Sequence, residues 1–170
     1  LQPSWRGEYE ITDAIQGLID AGKAVTAHLV RGWWKDTGKP EDLLEANRLV
    51  LSQVARDVRG EVVDSELAGE VVVEPGARIV RSEVRGPAHI AAGALIQDAY
   101  IGPYTSIGRD ARVVGSEVEY SILLDEAELR HLPCRVDASV IGQAVRVEAT
   151  GGTRRNTVQL VLGDRSQVRL

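Results

Sequence analysis

The segment 35–38, Lys-Asp-Thr-Gly, has the residue types for metal chemistry. It follows an apolar run over 24–30 and two adjacent tryptophans, Trp33 and Trp34. Mg²⁺ prefers oxygen ligands, so the carboxylate of Asp36 at the end of a strand is a candidate ligand. Asp-Thr-Gly is equally suited to a tight turn. From these residues alone, Asp36 is either a metal ligand or a turn residue.

Three elements are expected to position this segment. Thr12 can cap a helix over 13–21, which Gly22 ends. Residues 24–31 alternate and predict a strand. A second helix begins at Pro40, with Glu41 and Asp42 in its first turn. Its core stripe is predicted to comprise Leu43, Leu44, Asn47, Val50, Leu51 and Val54. Residues 1–58 therefore predict the closing part of an α/β domain.

From about residue 60 the sequence repeats with a period of 17, nested on a period near six. Two columns of aliphatic residues carry the longer period: Leu67, Val84, Ile101 and Val118, and Val73, Ile90, Ile107, Leu124 and Ile141. One inward aliphatic per six residues, followed by turn-forming residues, predicts three short parallel strands in each coil of a solenoid. An antiparallel sandwich would instead show strict alternation and more frequent turns. We expect the β-helix to occupy 59–170, with 151–155 a loop and the last segment an atypical terminal cap.

Composition limits the possible function classes. The 170 residues are 44% hydrophobic, the net charge is −5, and no apolar run approaches the length of a membrane span. These features argue against nucleic-acid and membrane partners and for a cytoplasmic protein. The lone Cys134 cannot form an internal disulfide and is expected to be a small buried side chain. Because the chain has no Met and starts within a domain pattern, we expect it to be a carboxy-terminal fragment.

Two motifs carry a resemblance to a known family. They are PSWRGEYEITD over 3–13 and GWWKDTGKPEDLLEAN over 32–47. Together they resemble the closing part of the sugar-nucleotide pyrophosphorylase domain, specifically the long-type glucose-1-phosphate thymidylyltransferases. Members of that type continue into a hexapeptide-repeat, left-handed β-helix, so the resemblance covers the whole chain. It implies a nucleotidyltransferase (Rossmann-like) α/β remnant followed by an all-β left-handed parallel β-helix.

The resemblance also implies a reaction and a cofactor. Glucose 1-phosphate attacks the α-phosphorus of dTTP, giving dTDP-glucose and pyrophosphate, and Mg²⁺ neutralises the phosphates. Asp36 is implied as one catalytic metal ligand, with the second carboxylate before Leu1. Lys39 stands where the family more often has Thr, which we interpret as a mark of the tailed subfamily.

Four further residues are implied near the substrates. Trp34 would form a wall beside the sugar or base, although a Trp at a strand end is as often a core residue. Arg6, Glu8 and Glu10 would lie near the sugar, although they could equally form a salt-bridge network at the start of a helix. The family's glycine-rich phosphate loop has no counterpart in residues 1–170. The chain alone is therefore expected to be inactive.

Other interpretations stay open at this point. Hexapeptide solenoids also occur in acyltransferases, where His89 or His131 would be the base. The solenoid could instead serve only assembly, which favours a homo-oligomer. A mannose guanylyl or glucose adenylyl transfer would keep the chemistry and change the substrate. Thr37 favours thymidylyl transfer.

Overall fold

A computed structural model describes residues 1–32, 34–149 and 157–169. Trp33 and the predicted loop 151–155 lie outside these residues. By its internal contacts the chain divides into two compact units, Leu1–Trp34 and Lys35–Leu170. The predicted domain boundary at residue 58 is a different division, and it stays a prediction.

Helix α1 is Ile11–Asp20. Thr12 lies inside the helix and does not cap it, because the N-cap is Glu10, which makes no side-chain capping bond. Gly22 ends the helix as predicted. Its φ is +68°, and the N–H groups of Gly22 and Lys23 donate to the carbonyls of Ile19 and Leu18. This pair of bonds is a Schellman motif, which needs a residue that tolerates the left-handed conformation.

The predicted strand at 24–31 is not formed. These residues are exposed and have no regular secondary structure. A strand exists only as part of a hydrogen-bonded ladder, and no strand within the described residues pairs with this segment. The alternating side chains therefore predicted a strand with two faces, but no neighbouring strand among the described residues pairs with this segment to stabilise it.

Helix α2 is Pro40–Leu51, with Pro40 at its first position, as predicted. Its N-cap is Lys39. Leu44 and Leu51 are buried, whereas Leu43 and Val50 are 39% and 52% exposed. The buried stripe is thus narrower than the predicted one. It follows Leu44, Asn47 and Leu51, which lie three and four residues apart and therefore on one face of a helix.

Short strands make up the described chain after α2. In chain order they are β1 Asp57–Val58, β2 Glu61–Val63, β3 Glu66–Ala68, β4 Val71–Val73, β5 Arg78–Val80, β6 Glu83–Arg85, β7 Ala88–Ile90, β8 Leu95–Gln97, β9 Tyr100–Ile101, β10 Thr105–Ile107, β11 Arg112–Val114, β12 Glu117–Glu119, β13 Ile122–Leu123, β14 Glu128–Arg130, β15 Arg135–Asp137, β16 Val140–Ile141, β17 Arg146–Glu148, β18 Thr157–Val158, β19 Val161–Leu162 and β20 Gln167–Arg169.

Every third strand belongs to the same sheet, and all strand pairs are parallel. The first sheet runs β1-β4-β7-β10-β13-β16-β19, the second β2-β5-β8-β11-β14-β17-β20, and the third β3-β6-β9-β12-β15-β18. The described strands thus make six complete coils and begin a seventh. This confirms the predicted parallel β-solenoid and excludes the antiparallel sandwich.

From β2 to β17 each strand points at least one aliphatic side chain into the core, and β4 and β7 each point two. Leu67, Val84, Ile101 and Val118 are successive register partners, as predicted. In the other column Leu124 was the wrong residue, because the partner of Ile107 is Leu123, which is 1% exposed. Ser106 pairs with His89 in the coil before it and with Ile122 in the coil after it, and the second offset is shorter by one position. A shorter corner between β12 and β13 therefore moves the inward position by one.

Serines that are buried, or half-buried in the case of Ser65, connect successive coils. The Oγ of Ser82 donates to the carbonyl of Val80 (2.8 Å) and accepts the N–H of Ala99 in the next coil (3.1 Å). The same arrangement recurs at Ser65, Ser116, Ser121 and Ser139. Each hydroxyl accepts a corner N–H of the next coil, for which the described residues offer no backbone acceptor.

The segment predicted as a terminal cap adds β18, β19 and β20, one strand to each sheet. Val140 pairs with Val161, so the sequence separation between paired residues in this segment is longer than the 17-residue repeat. Among the described residues, neither helix has the length and apolar character that crossing a bilayer requires.

Candidate functional site

Asp36 lies in the short segment that leads into α2. The residue is exposed, and within the described part of the chain no hydrogen bond or ion pair engages its carboxylate. A methyl group added at Gly38 would lie 3.6 Å from Asp36 Oδ1. A side chain at position 38 would therefore be in van der Waals contact with the carboxylate, and glycine places none there.

An ion pair fixes this segment to the first turn of α2. Lys35 Nζ lies 2.8 Å from Asp42 Oδ1, and the Asp42 N–H donates to the carbonyl of Lys39 (3.0 Å). The hydrogen bond to Asp42 raises the pKa of Lys35, and the bond from Lys35 lowers the pKa of Asp42. The ammonium next to Asp36 in sequence thus binds a different carboxylate.

Acid should release this ion pair. The pKa of Asp42 lies below its ordinary value of 3.8. Its stabilising contribution is therefore complete above that value and is lost as the pH falls through the lowered pKa. Replacement Lys35→Gln should return the pKa of Asp42 toward 3.8, measured by NMR titration of the carboxyl carbon. Lys23→Gln, which removes an equal charge elsewhere, should not. An unchanged Asp42 titration in Lys35→Gln would contradict the pairing.

Helix α2 is hydrogen-bonded to the solenoid through one side chain. The Asn47 amide donates through Nδ2 to the carbonyl of Tyr104 (3.0 Å) and accepts through Oδ1 from the hydroxyl of Ser106 (2.6 Å). Both partners belong to the fourth coil, at the corner before β10 and on β10 itself. The sequence signalled Asn47 as a polar residue within an apolar stripe, which requires buried partners.

The predicted substrate residues Arg6, Glu8, Glu10 and Trp34 lie in the unit Leu1–Trp34, whereas Asp36 lies in the unit Lys35–Leu170. Arg6 Nη2 is 2.7 Å from Glu10 Oε1, and this hydrogen bond lowers the pKa of Glu10. The Glu8 carbonyl accepts the N–H of Ser4 (2.7 Å), and Trp34 is 74% exposed. The structure brings Arg6 and Glu10 together. The substrate roles of all four residues stay predictions.

The two histidines of the acyltransferase alternative lie in different parts of the solenoid. His89 Nε2 is 3.2 Å from Glu74 Oε1. The Glu74 carboxylate also accepts the N–H of Ala92 (2.9 Å), the bond that lowers its pKa most. This carboxylate joins adjacent coils, and that explains both contacts without catalysis. His131 lies at the corner between β14 and β15 with φ of +50°. Neither environment favours the acyltransferase alternative.

No group of three or more His, Cys, Asp or Glu residues within the described ranges could hold a metal ion. Asp36 offers one open carboxylate. One or two protein carboxylates suffice for Mg²⁺ when substrate phosphates supply further oxygens. The residues present therefore fit one protein ligand of such a site.

Comparisons with known proteins agree on one class. A family model described as "Nucleotidyl transferase" matches residues 1–53. The chain is 44% identical over its whole length to a glucose-1-phosphate thymidylyltransferase of Streptomyces antibioticus and 45% identical to that of Streptomyces griseus. It is 43% identical, again over its whole length, to the low-salt glycan biosynthesis nucleotidyltransferase Agl11 of Haloferax volcanii. The chain spans about half (48%) of the length of each of these relatives.

Proposed function

The chain belongs to the nucleotidyl transferase family, and on this premise we propose that it forms part of a glucose-1-phosphate thymidylyltransferase. The observation that carries the proposal is the 44–45% identity along the whole chain to two proteins of that name. The structure supports the proposal because the carboxylate of Asp36 is exposed. The substrates would be dTTP and glucose 1-phosphate, and the products dTDP-glucose and pyrophosphate.

Asp36 would be one ligand of a divalent cation, which we propose is Mg²⁺. When bound, the ion would neutralise the triphosphate and orient it for in-line attack by the sugar phosphate. Lys35 remains protonated and paired with Asp42, so its charge does not occupy the Asp36 carboxylate. Gly38 leaves space beside Asp36 Oδ1. The role of this chain is thus to hold one anionic oxygen at a fixed position.

A chimera tests the proposal. Residues 1–170 would replace the aligned segment of the S. antibioticus protein, and pyrophosphate release would be measured with dTTP, glucose 1-phosphate and Mg²⁺. We expect turnover by the chimera and none by the 170-residue chain alone, which has no glycine-rich phosphate loop. Preference for GTP with mannose 1-phosphate, or for ATP, would indicate another sugar-nucleotide class. Turnover by the chain alone would contradict the proposal that this chain supplies only part of the active site.

We also propose that the solenoid assembles identical copies of the protein. The outward residues of the first sheet form an apolar row at Ile122, Val140 and Val161, and Val161 is 55% exposed. Light scattering should show an oligomer of the chain, and Val161→Asp should reduce its mass because a charge cannot be buried unpaired. A monomeric parent chain would contradict this role.

A further inference from the structure

Asn47 uses both ends of its amide at once. Nδ2 donates to the Tyr104 carbonyl, and Oδ1 accepts from Ser106, at 3.0 and 2.6 Å. Reversing the amide would place an oxygen against the Tyr104 carbonyl and leave the Ser106 hydroxyl without its acceptor. Asn47 therefore fixes the position and the rotation of α2 on the fourth coil.

The helix transmits this position to its first turn. Leu44 and Leu51 are buried on the same stripe as Asn47, one turn to either side. Asn47 is seven residues from Pro40, which is about 10 Å along a helix. A hydrogen-bonded helix of this length is rigid, so a shift at Asn47 moves Pro40 with it.

From the first turn, two contacts reach the segment that holds Asp36. Lys35 is paired with Asp42, and the Lys39 carbonyl accepts the N–H groups of Asp42 and Leu43. Asp36 lies between Lys35 and Lys39, so both ends of its segment are attached to α2. The position of the carboxylate is thus set from the solenoid through α2.

We propose that Asn47 is a positioning residue for the metal-binding carboxylate of Asp36, and that the fourth coil is the surface against which this carboxylate is placed. This inference rests on the proposed metal role of Asp36. It assigns the solenoid a part in the chemistry in addition to assembly.

The variants Asn47→Asp and Ser106→Ala each remove one of the two hydrogen bonds. In the chimera we expect Asn47→Asp to raise the Mg²⁺ concentration for half-maximal turnover about tenfold, as for groups that orient metal ligands. Excess Mg²⁺ should restore most of kcat. Ser106→Ala, which keeps the bond to Tyr104, should show a smaller shift in the same direction.

Gln159→Leu is the matched control, because the Gln159 amide also donates to a solenoid carbonyl, that of Ala138 (3.1 Å), away from α2. It should leave the Mg²⁺ requirement unchanged. In the 170-residue chain, Asn47→Asp should accelerate hydrogen exchange of the α2 amides, and Gln159→Leu should not.

Each result decides between the two proposals. Unchanged α2 exchange in Asn47→Asp overturns the anchoring. Faster exchange with an unchanged Mg²⁺ requirement overturns positioning, provided that Asp36→Asn abolishes turnover. Full turnover by Asp36→Asn overturns the proposed metal role itself. A purely structural Asn47 would lower the unfolding midpoint without altering the Mg²⁺ dependence.

Discussion

Replacement Asp36→Asn should reduce turnover of the chimera at least about 100-fold, which corresponds to about 2.7 kcal/mol of transition-state stabilisation. The amide keeps the size of the side chain and removes the anionic oxygen that a hard cation requires. Because no hydrogen bond or ion pair of the described residues engages the carboxylate, the variant should unfold at the same temperature as its parent. Loss of activity without loss of stability is the expected signature.

Glu41→Gln is the control for this variant. Glu41 is an exposed carboxylate in the first turn of α2, close to Asp36 in the sequence. The Glu41→Gln variant should retain turnover within about twofold. A charge near a helix terminus contributes only a few tenths of a kcal/mol to about 1 kcal/mol to helix stability. Initial rates over a Mg²⁺ series would separate the two residues. Equal rates for the Asp36→Asn and Glu41→Gln variants would contradict the proposal that Asp36 binds the metal ion.

Replacement Leu129→Ala should cost about 3 kcal/mol of unfolding free energy, within the range of about 2–5 kcal/mol for such truncations. Leu129 is fully buried, and its register partners in the neighbouring coils are Val113 and Val147. The flanking strands are hydrogen-bonded above and below and cannot collapse into the vacated volume. The midpoint of urea unfolding should fall while the slope stays constant.

Leu124→Ala makes the same chemical change at a surface position. Leu124 is 42% exposed and follows the inward residue Leu123. Its truncation should cost less than about 1 kcal/mol. Similar midpoints for the two alanine variants would contradict the assignment of Leu123 and Leu129 to the core.

The solenoid was predictable because its signal is local. An inward aliphatic about every six residues, followed by a corner, is visible within a single coil. The sequence did not reveal that Leu123, and not Leu124, is the inward residue, because either of two adjacent leucines can continue the column of aliphatic residues. The corner between β12 and β13 decides between them, and its length is a property of the folded backbone.

The candidate site was predictable only in its local part. Asp36 and the start of α2 at Pro40 follow from neighbouring residues. The partners of Asn47 lie 57 and 59 positions away in the chain. The strand expected over 24–31 failed for a related reason, since pairing depends on residues far away in sequence. Long-range contacts therefore account for what the sequence alone did not indicate.

The attachment of α2 to the fourth coil bears on how this protein could have evolved. From β4 to β12 the strands of successive coils pair at one constant sequence offset, whereas beyond β12 the offset changes from coil to coil. The coils on the far side of the attached coil thus differ in length from one another. Such changes in length leave the register of the fourth coil, and with it Asp36, untouched. Selection could therefore lengthen or shorten the distal solenoid, and alter how copies associate, independently of the chemistry.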